Sequence, residues 1–206
     1  LARRGAPFRQ PEWSALALTE APEAVVQTHL DFIRAGSQVI TANSYAVVPF
    51  HIGDRFEHEA QTLADTAGKL ARQASGESGR PVRVAASLPP LFGSYRPDLF
   101  DVTKAPALAQ PLVRGLAPHV DIWLAETQSS VAEAAFWRRH PTLLDSSSIF
   151  CSSVIRCGGN PSLSSHCHLL STLPNEVTGP HLWVPSCSVA RLHKHVAVSR
   201  TLASDV

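Results

Sequence analysis

Residues 82–95 read VRVAASLPPLFGSY, and residues 121–130 read DIWLAETQSS. Each stretch begins as a short apolar run with β-branched residues and ends in polar or bend-forming ones. A buried parallel strand has this look when it delivers side chains to a site at its carboxyl end. Residues 38–49, QVITANSYAVVP, are built the same way.

Outward from these strands the pattern is helical. Pro22 suits the first position of a helix, because its missing N–H had no partner there. Val26, Leu30 and Ile33 then recur at i, i+4 and i+7, with Val25, His29 and Phe32 alongside, and Gly36 ends the helix. His29 reads as a packed residue rather than a ligand. Before it, residues 1–20 are loop-like until WSALALTE, which predicts a short helix. A long single-face stripe of Phe56, Ala60, Leu63, Ala67, Leu70, Ala71 and Ala74 predicts a helix over 55–74, followed by a surface turn over 75–81. A loop over 88–101, LPPLFGSYRPDLFD, is long enough to suggest a functional role. A helix over 104–116 is weakened by Pro106 and Pro111, and Ser130 with Glu133 forms a capping box that opens another through Arg138. The order α-β-α-β-α-β-α implies a parallel sheet with helices packed outside it, either doubly wound or a (β/α) barrel.

With 206 residues, 44% of them hydrophobic and 17% charged, the chain is globular in composition. A formal net charge of +1 leaves no electrostatic footprint for nucleic acid or an anionic membrane. No apolar run approaches the roughly 18 residues of a membrane span, and the N-terminus has no apolar signal core, so a cytoplasmic location is expected. Methionine is absent even at position 1, and the expectation is a chain that begins inside a longer protein.

The grammar changes after residue 144. Beyond Asp145 only Glu176 and Asp205 carry carboxylates, while Ser, His, Cys and Pro accumulate. Only residues 182–184 and 195–198 look strand-like. Two units are therefore expected: a partial α/β domain over 1–144 and an irregular tail over 145–206. The tail reads as non-native sequence from a shifted frame or misplaced exon boundary, with a disordered tail as the milder alternative. All four cysteines, Cys151, Cys157, Cys167 and Cys187, fall there; with His166 and His168 they have ligand chemistry but neither CxxC nor HxxxH spacing, so no residue is assigned to a metal.

Ligands of parallel α/β proteins bind at the carboxyl ends of the strands. That rule gathers Asn43, Ser44 and Tyr45, then Ser87 and the loop after it, then Glu126 and Thr127 on one rim. One carboxylate, several hydroxyls and an amide suit the amino and carboxylate groups of an amino acid, and no Gly-rich phosphate loop is present. Turn chemistry is an alternative reading of Asn43 and Ser44.

RRGAPF (3–8), PEWSALALTEAPE (11–23), HLDFIRAG (29–36), VITANSYAVVPFHIG (39–53), VAASLPPLFGSYRPDLF (84–100) and LVRGLAPHVDIWLAETQSS (112–130) together resemble the homocysteine S-methyltransferase family, in particular its enzymes that use S-methylmethionine or S-adenosylmethionine as methyl donor. The resemblance covers about residues 1–140 and implies a (β/α)8 TIM barrel in which zinc binds the homocysteine thiolate. It implies that Glu126 holds the substrate amino group and that Asn43 and Tyr45 line the same pocket. Zinc coordination would deprotonate the thiol, since only the thiolate is a good nucleophile.

Two departures qualify these expectations. The family's first strand, ending in Asp-Gly-Gly, has no counterpart here. Its zinc-binding cysteines lie in Asn-Cys and Gly-Gly-Cys-Cys motifs that this sequence also lacks, so zinc is implied by resemblance and its ligands are not carried over. About three of eight strands are expected, giving an open barrel that is poorly folded, or self-associates through exposed strands, and that transfers methyl groups weakly. The competing reading is a non-catalytic remnant that binds amino acids or partner subunits without metal.

Overall fold

The computed structural model describes residues 1–140 and 149–151, the last three as backbone only. The strand-like pieces at 182–184 and 195–198, and the tail set of Cys157, His166, Cys167 and His168, lie outside the described residues. Strands β1 (Val39–Thr41), β2 (Arg83–Leu88), β3 (Ile122–Ala125) and β4 (Ile149–Cys151) form one parallel sheet in the order β1-β2-β3-β4. The repeating α/β architecture expected from the sequence is therefore present as a four-stranded sheet. β4 pairs Trp123 with Ile149 and Ala125 with Cys151, and so carries the sheet past the boundary expected at residue 144.

Helices α1 (Leu16–Glu20) and α2 (Pro22–Arg34) precede β1. Between β1 and β2 come α3 (Pro49–Ile52) and α4 (Phe56–Glu77); α5 (Ala105–Leu116) precedes β3 and α6 (Val131–Arg138) follows it. Pro22 opens α2, and Gly36 follows it at φ 108°, a backbone conformation suited to glycine. α4 runs through the expected turn at 75–77, because Ser75 is buried and its hydroxyl donates to the Val82 carbonyl at 2.6 Å. α5 continues across Pro111, which supplies no N–H to the turn before it.

Side chains alternate across the sheet. Ile40, Val84, Ala86, Leu88, Trp123 and Ala125 join the helices in the main core. Ala85, Ile122 and Leu124, with Val39 against them, form a separate small cluster. Ser87 has the parity of Ala85, and Glu126 that of Ile122 and Leu124. Both residues thus belong by register to the face that the main core does not use.

At the amino end of the strands the sheet is fastened by charge. Asp121 accepts the Val84 N–H at 2.7 Å with one oxygen and Arg72 of α4 at 2.8 Å with the other. Arg72 also donates to the His119 carbonyl. α4 and α5 pack closely: a Cβ on Gly115 would lie 2.5 Å from the Gln61 carbonyl oxygen and 2.7 Å from the Asp65 nitrogen. His119 lies against Gly68 and hydrogen-bonds Asp65 at 2.8 Å. His29 is buried on α2, and among the described residues its Nε2 has no hydrogen-bond partner. Among the described residues no helix is long and apolar enough to cross a membrane.

Candidate functional site

Ser87 ends up beside Glu126 because β2 and β3 are parallel and adjacent, with Ser87 opposite Leu124 in register. Its hydroxyl donates to Glu126 Oε1. Glu126 stands one residue past β3, where its N–H donates to the Leu88 carbonyl at 3.2 Å and continues the ladder. Although the residue retains some exposure at the rim, the protein around it pushes its carboxyl up from the ordinary range, and the Ser87 hydrogen bond opposes this.

Tyr45, in the loop after β1, completes the group. Its hydroxyl shares a hydrogen bond with Ser94 Oγ at 2.7 Å and lies near the Thr127 side chain. Burial raises its phenol above the ordinary value and the Glu126 charge adds to this, while the Ser94 and Thr127 contacts pull the other way. Ser44 is fully buried, and its hydroxyl donates to the Ser87 carbonyl at 2.9 Å, so it reaches the site through Ser87. Asn43 shares none of these bonds: its Nδ2 donates to the Ser14 carbonyl at 2.9 Å and ties the N-terminal segment to the end of β1.

The loops after β2 and β3 are locked to one another. Glu133 of α6 is buried, and its carboxylate accepts the N–H of Leu91 at 3.1 Å and of Ser129 at 3.0 Å. The expected capping box is thus half formed: Ser130 Oγ accepts from Glu133 N at 3.1 Å, but the glutamate does not return to Ser130. Burial raises the Glu133 carboxyl, against the two backbone donors. Gln128, fully buried, donates from Nε2 to the carbonyls of Leu88 at 2.9 Å and Glu126 at 3.0 Å. Thr127 between them has φ 56°, and Tyr95 in the facing loop has φ 63°. For a β-branched residue such a backbone costs about 1–3 kcal/mol and persists only where the surroundings enforce it. Gln128 and Glu133 escaped assignment to the site, because their partners Leu88 and Leu91 are some 40 residues away in sequence.

Among the described residues no group of three or more His, Cys, Asp or Glu side chains is placed to hold a metal ion. Glu126 has serine, tyrosine and threonine hydroxyls for company, not thiolates or imidazoles. The described rim therefore does not fit zinc.

The parallel sheet thus gathers a carboxylate and hydroxyls at the carboxyl ends of adjacent strands, the place where ligands of parallel α/β sheets bind. Sequence comparison makes the class specific. A family model described as homocysteine S-methyltransferase matches residues 1–165, and the chain belongs to that family. Its relatives include homocysteine S-methyltransferase 1 of Zea mays, 33% identical over 106 residues, which cover 47% of this chain and 33% of that protein. Homocysteine S-methyltransferase of Escherichia coli (strain K12) is 34% identical over 106 residues, covering 48% and 34%. Selenocysteine methyltransferase of Astragalus bisulcatus is 32% identical over 76 residues, covering 36% and 22%. The matched stretch thus spans about a third of the length of the first two of these relatives.

Proposed function

We propose that the rim binds homocysteine, with Glu126 receiving its ammonium group, and that the chain takes part in methyl transfer to the homocysteine sulfur from a sulfonium donor, S-methylmethionine or S-adenosylmethionine, to give methionine. The observation that carries this reading is the carboxylate of Glu126 at the end of β3, held by Ser87 from the neighbouring strand with the Tyr45 and Thr127 hydroxyls nearby. An ionised carboxylate in a partly desolvated site is a strong receptor for an ammonium, and hydroxyls can donate to the ligand's carboxylate. In the transfer, the homocysteine thiol releases its proton to solvent and a lone pair of the thiolate forms the new S–CH3 bond. The donor's S–CH3 bond breaks with its electron pair leaving on the donor sulfur, which loses its positive charge. The donor brings its own leaving group, so the protein's main work is alignment.

The sheet is proposed to be an arc of a (β/α)8 barrel. Its order β1-β2-β3-β4 has no reversal, whereas doubly wound sheets reverse at their ligand-binding switch point. Slow turnover by this chain taken alone is part of the proposal, since neither an Asn-Cys nor a Gly-Gly-Cys-Cys motif occurs in it.

The test is methionine formation from homocysteine with each donor, with and without added zinc, alongside homocysteine binding by calorimetry. Binding that Glu126→Gln abolishes supports the receptor role. Binding without turnover favours the non-catalytic amino-acid binder. No binding at all sinks the site assignment.

A further inference from the structure

We propose that Gln128 is a positioning residue for Glu126: its carboxamide clamps the turn that aims the carboxylate. The proposal rests on Glu126 being the ammonium receptor. Gln128 Nε2 bridges two carbonyls, that of Leu88 at the end of β2 (2.9 Å) and that of Glu126 (3.0 Å). Leu88 O also accepts the Glu126 N–H at 3.2 Å. Glu126 is thus held through both its N–H and its C=O, one directly and one through Gln128.

Two further observations set this clamp apart from ordinary packing. Thr127, the residue between the clamped pair, has φ 56°, a conformation a β-branched residue leaves when nothing enforces it. Gln128 is 0% exposed, and among the described residues its Oε1 has no hydrogen-bond partner. An unpartnered buried acceptor is unfavourable, and leucine or methionine would fill the same space without it. Filling space therefore does not account for a carboxamide here, whereas bridging two carbonyls does.

The same geometry makes Gln128→Met a clean probe. Methionine has nearly the same length and removes the orphaned acceptor. Leu88 O keeps the Glu126 N–H, and Glu126 O lies at the partly exposed rim. The fold is expected to survive, with a melting temperature within a few degrees of the parent. Two readouts on the full chain then test aim rather than stability. Calorimetry across pH reports homocysteine affinity, and an NMR titration of the Glu126 side-chain carboxyl carbon, identified by its loss in Glu126→Gln, reports the carboxylate's surroundings without any ligand. In Gln128→Met, affinity is expected to fall about tenfold, and the carboxyl titration to move toward that of a solvated glutamate. Gln128→Asn, which keeps the amide but cannot span both carbonyls, is expected to shift both readouts the same way and serves if the methionine variant does not fold. An unchanged titration midpoint and affinity in the folded variants overturns the proposal. If Glu126→Gln itself binds homocysteine as tightly as the parent, the receptor reading fails, and the ligand-free titration still decides whether Gln128 positions the carboxylate.

Discussion

Glu133 reaches from α6 to accept the backbone N–H of Leu91 at 3.1 Å, so a helix after β3 fixes the loop after β2. Its other oxygen takes the Ser129 N–H, and both bonds are buried. Glu133→Ala leaves two buried donors unpaired and is expected to cost about 2–4 kcal/mol, read as a lowered midpoint in urea unfolding. Glu133→Gln, which keeps one acceptor, should lose about half as much. Equal stability of Glu133→Ala and the parent would rule out the lock.

Glu126 carries a pH signature. Its folded carboxyl is raised above the ordinary 4.5, chiefly by burial. A raised acid favours folding while it is protonated, so its contribution is complete below about 4.5 and is lost as pH rises through the folded value. Glu126→Gln, which stays neutral, should therefore match the parent near pH 4 and be the more stable of the two at pH 8. Thermal unfolding at both values checks this, and a parent that is the more stable at pH 8 would contradict it.

His29 acts with the opposite sense. Burial lowers its imidazole from 6.5 to about 4. The unfolded chain therefore takes up the proton first, and stability present above pH 6.5 falls as the pH drops to about 4. That span corresponds to about 3 kcal/mol. His29→Leu has no such loss, and the gap between variant and parent should widen steadily from pH 7 to pH 4. A constant gap would mean that His29 is solvated.

The close contact of α4 with α5 predicts two glycine substitutions of opposite sign. Gly115→Ala drives a Cβ into the backbone at Gln61 and Asp65, neither of which can swing aside. A loss of about 1–3 kcal/mol or more is expected. Gly76, also on α4, has nothing within 4 Å, and Gly76→Ala should gain about 0.5–1 kcal/mol from helix propensity and a less flexible unfolded chain. Chemical unfolding of the two variants side by side is the check.

Among the described residues β1 pairs with β2 alone, leaving one edge of a three-residue strand without a strand partner. Such edges recruit other strands. Sedimentation at rising concentration is expected to show association, and Val39→Lys on that strand to reduce it. A concentration-independent monomer would answer the question against self-association.

Legibility in the sequence followed the range of the interactions. β2 and β3 could be read from VRVAAS and IWLA because strand identity rests on local apolar runs, and α2 from Pro22 and Gly36 because caps are local. The position of Glu126 just past β3 was legible from the apolar run before it. β4 was not, since Ile149–Cys151 is three residues long and is defined by its ladder to Trp123 and Ala125. The end of α4 was missed because Ser75 finds its partner in Val82, beyond the turn that its own sequence suggests. Asn43 read as a rim amide, and its bond to Ser14 spans 29 positions that no pattern reveals. Glu133 was legible as a cap; the pairing with Leu91 arises only once the sheet brings the two loops together.

The fastening of Asp121 to Val84 and Arg72 lies at the end of the sheet opposite the rim. If the rim binds homocysteine as proposed, strand registration and ligand chemistry are entrusted to different residues at different ends. In a library of random substitutions the two ends should diverge: changes at Arg72 or Asp121 would be purged for loss of fold whatever the ligand, while changes at Tyr45, Ser94 or Thr127 would survive as soluble protein with altered preference. Such a division of labour lets one scaffold explore new small-molecule partners without renegotiating its architecture.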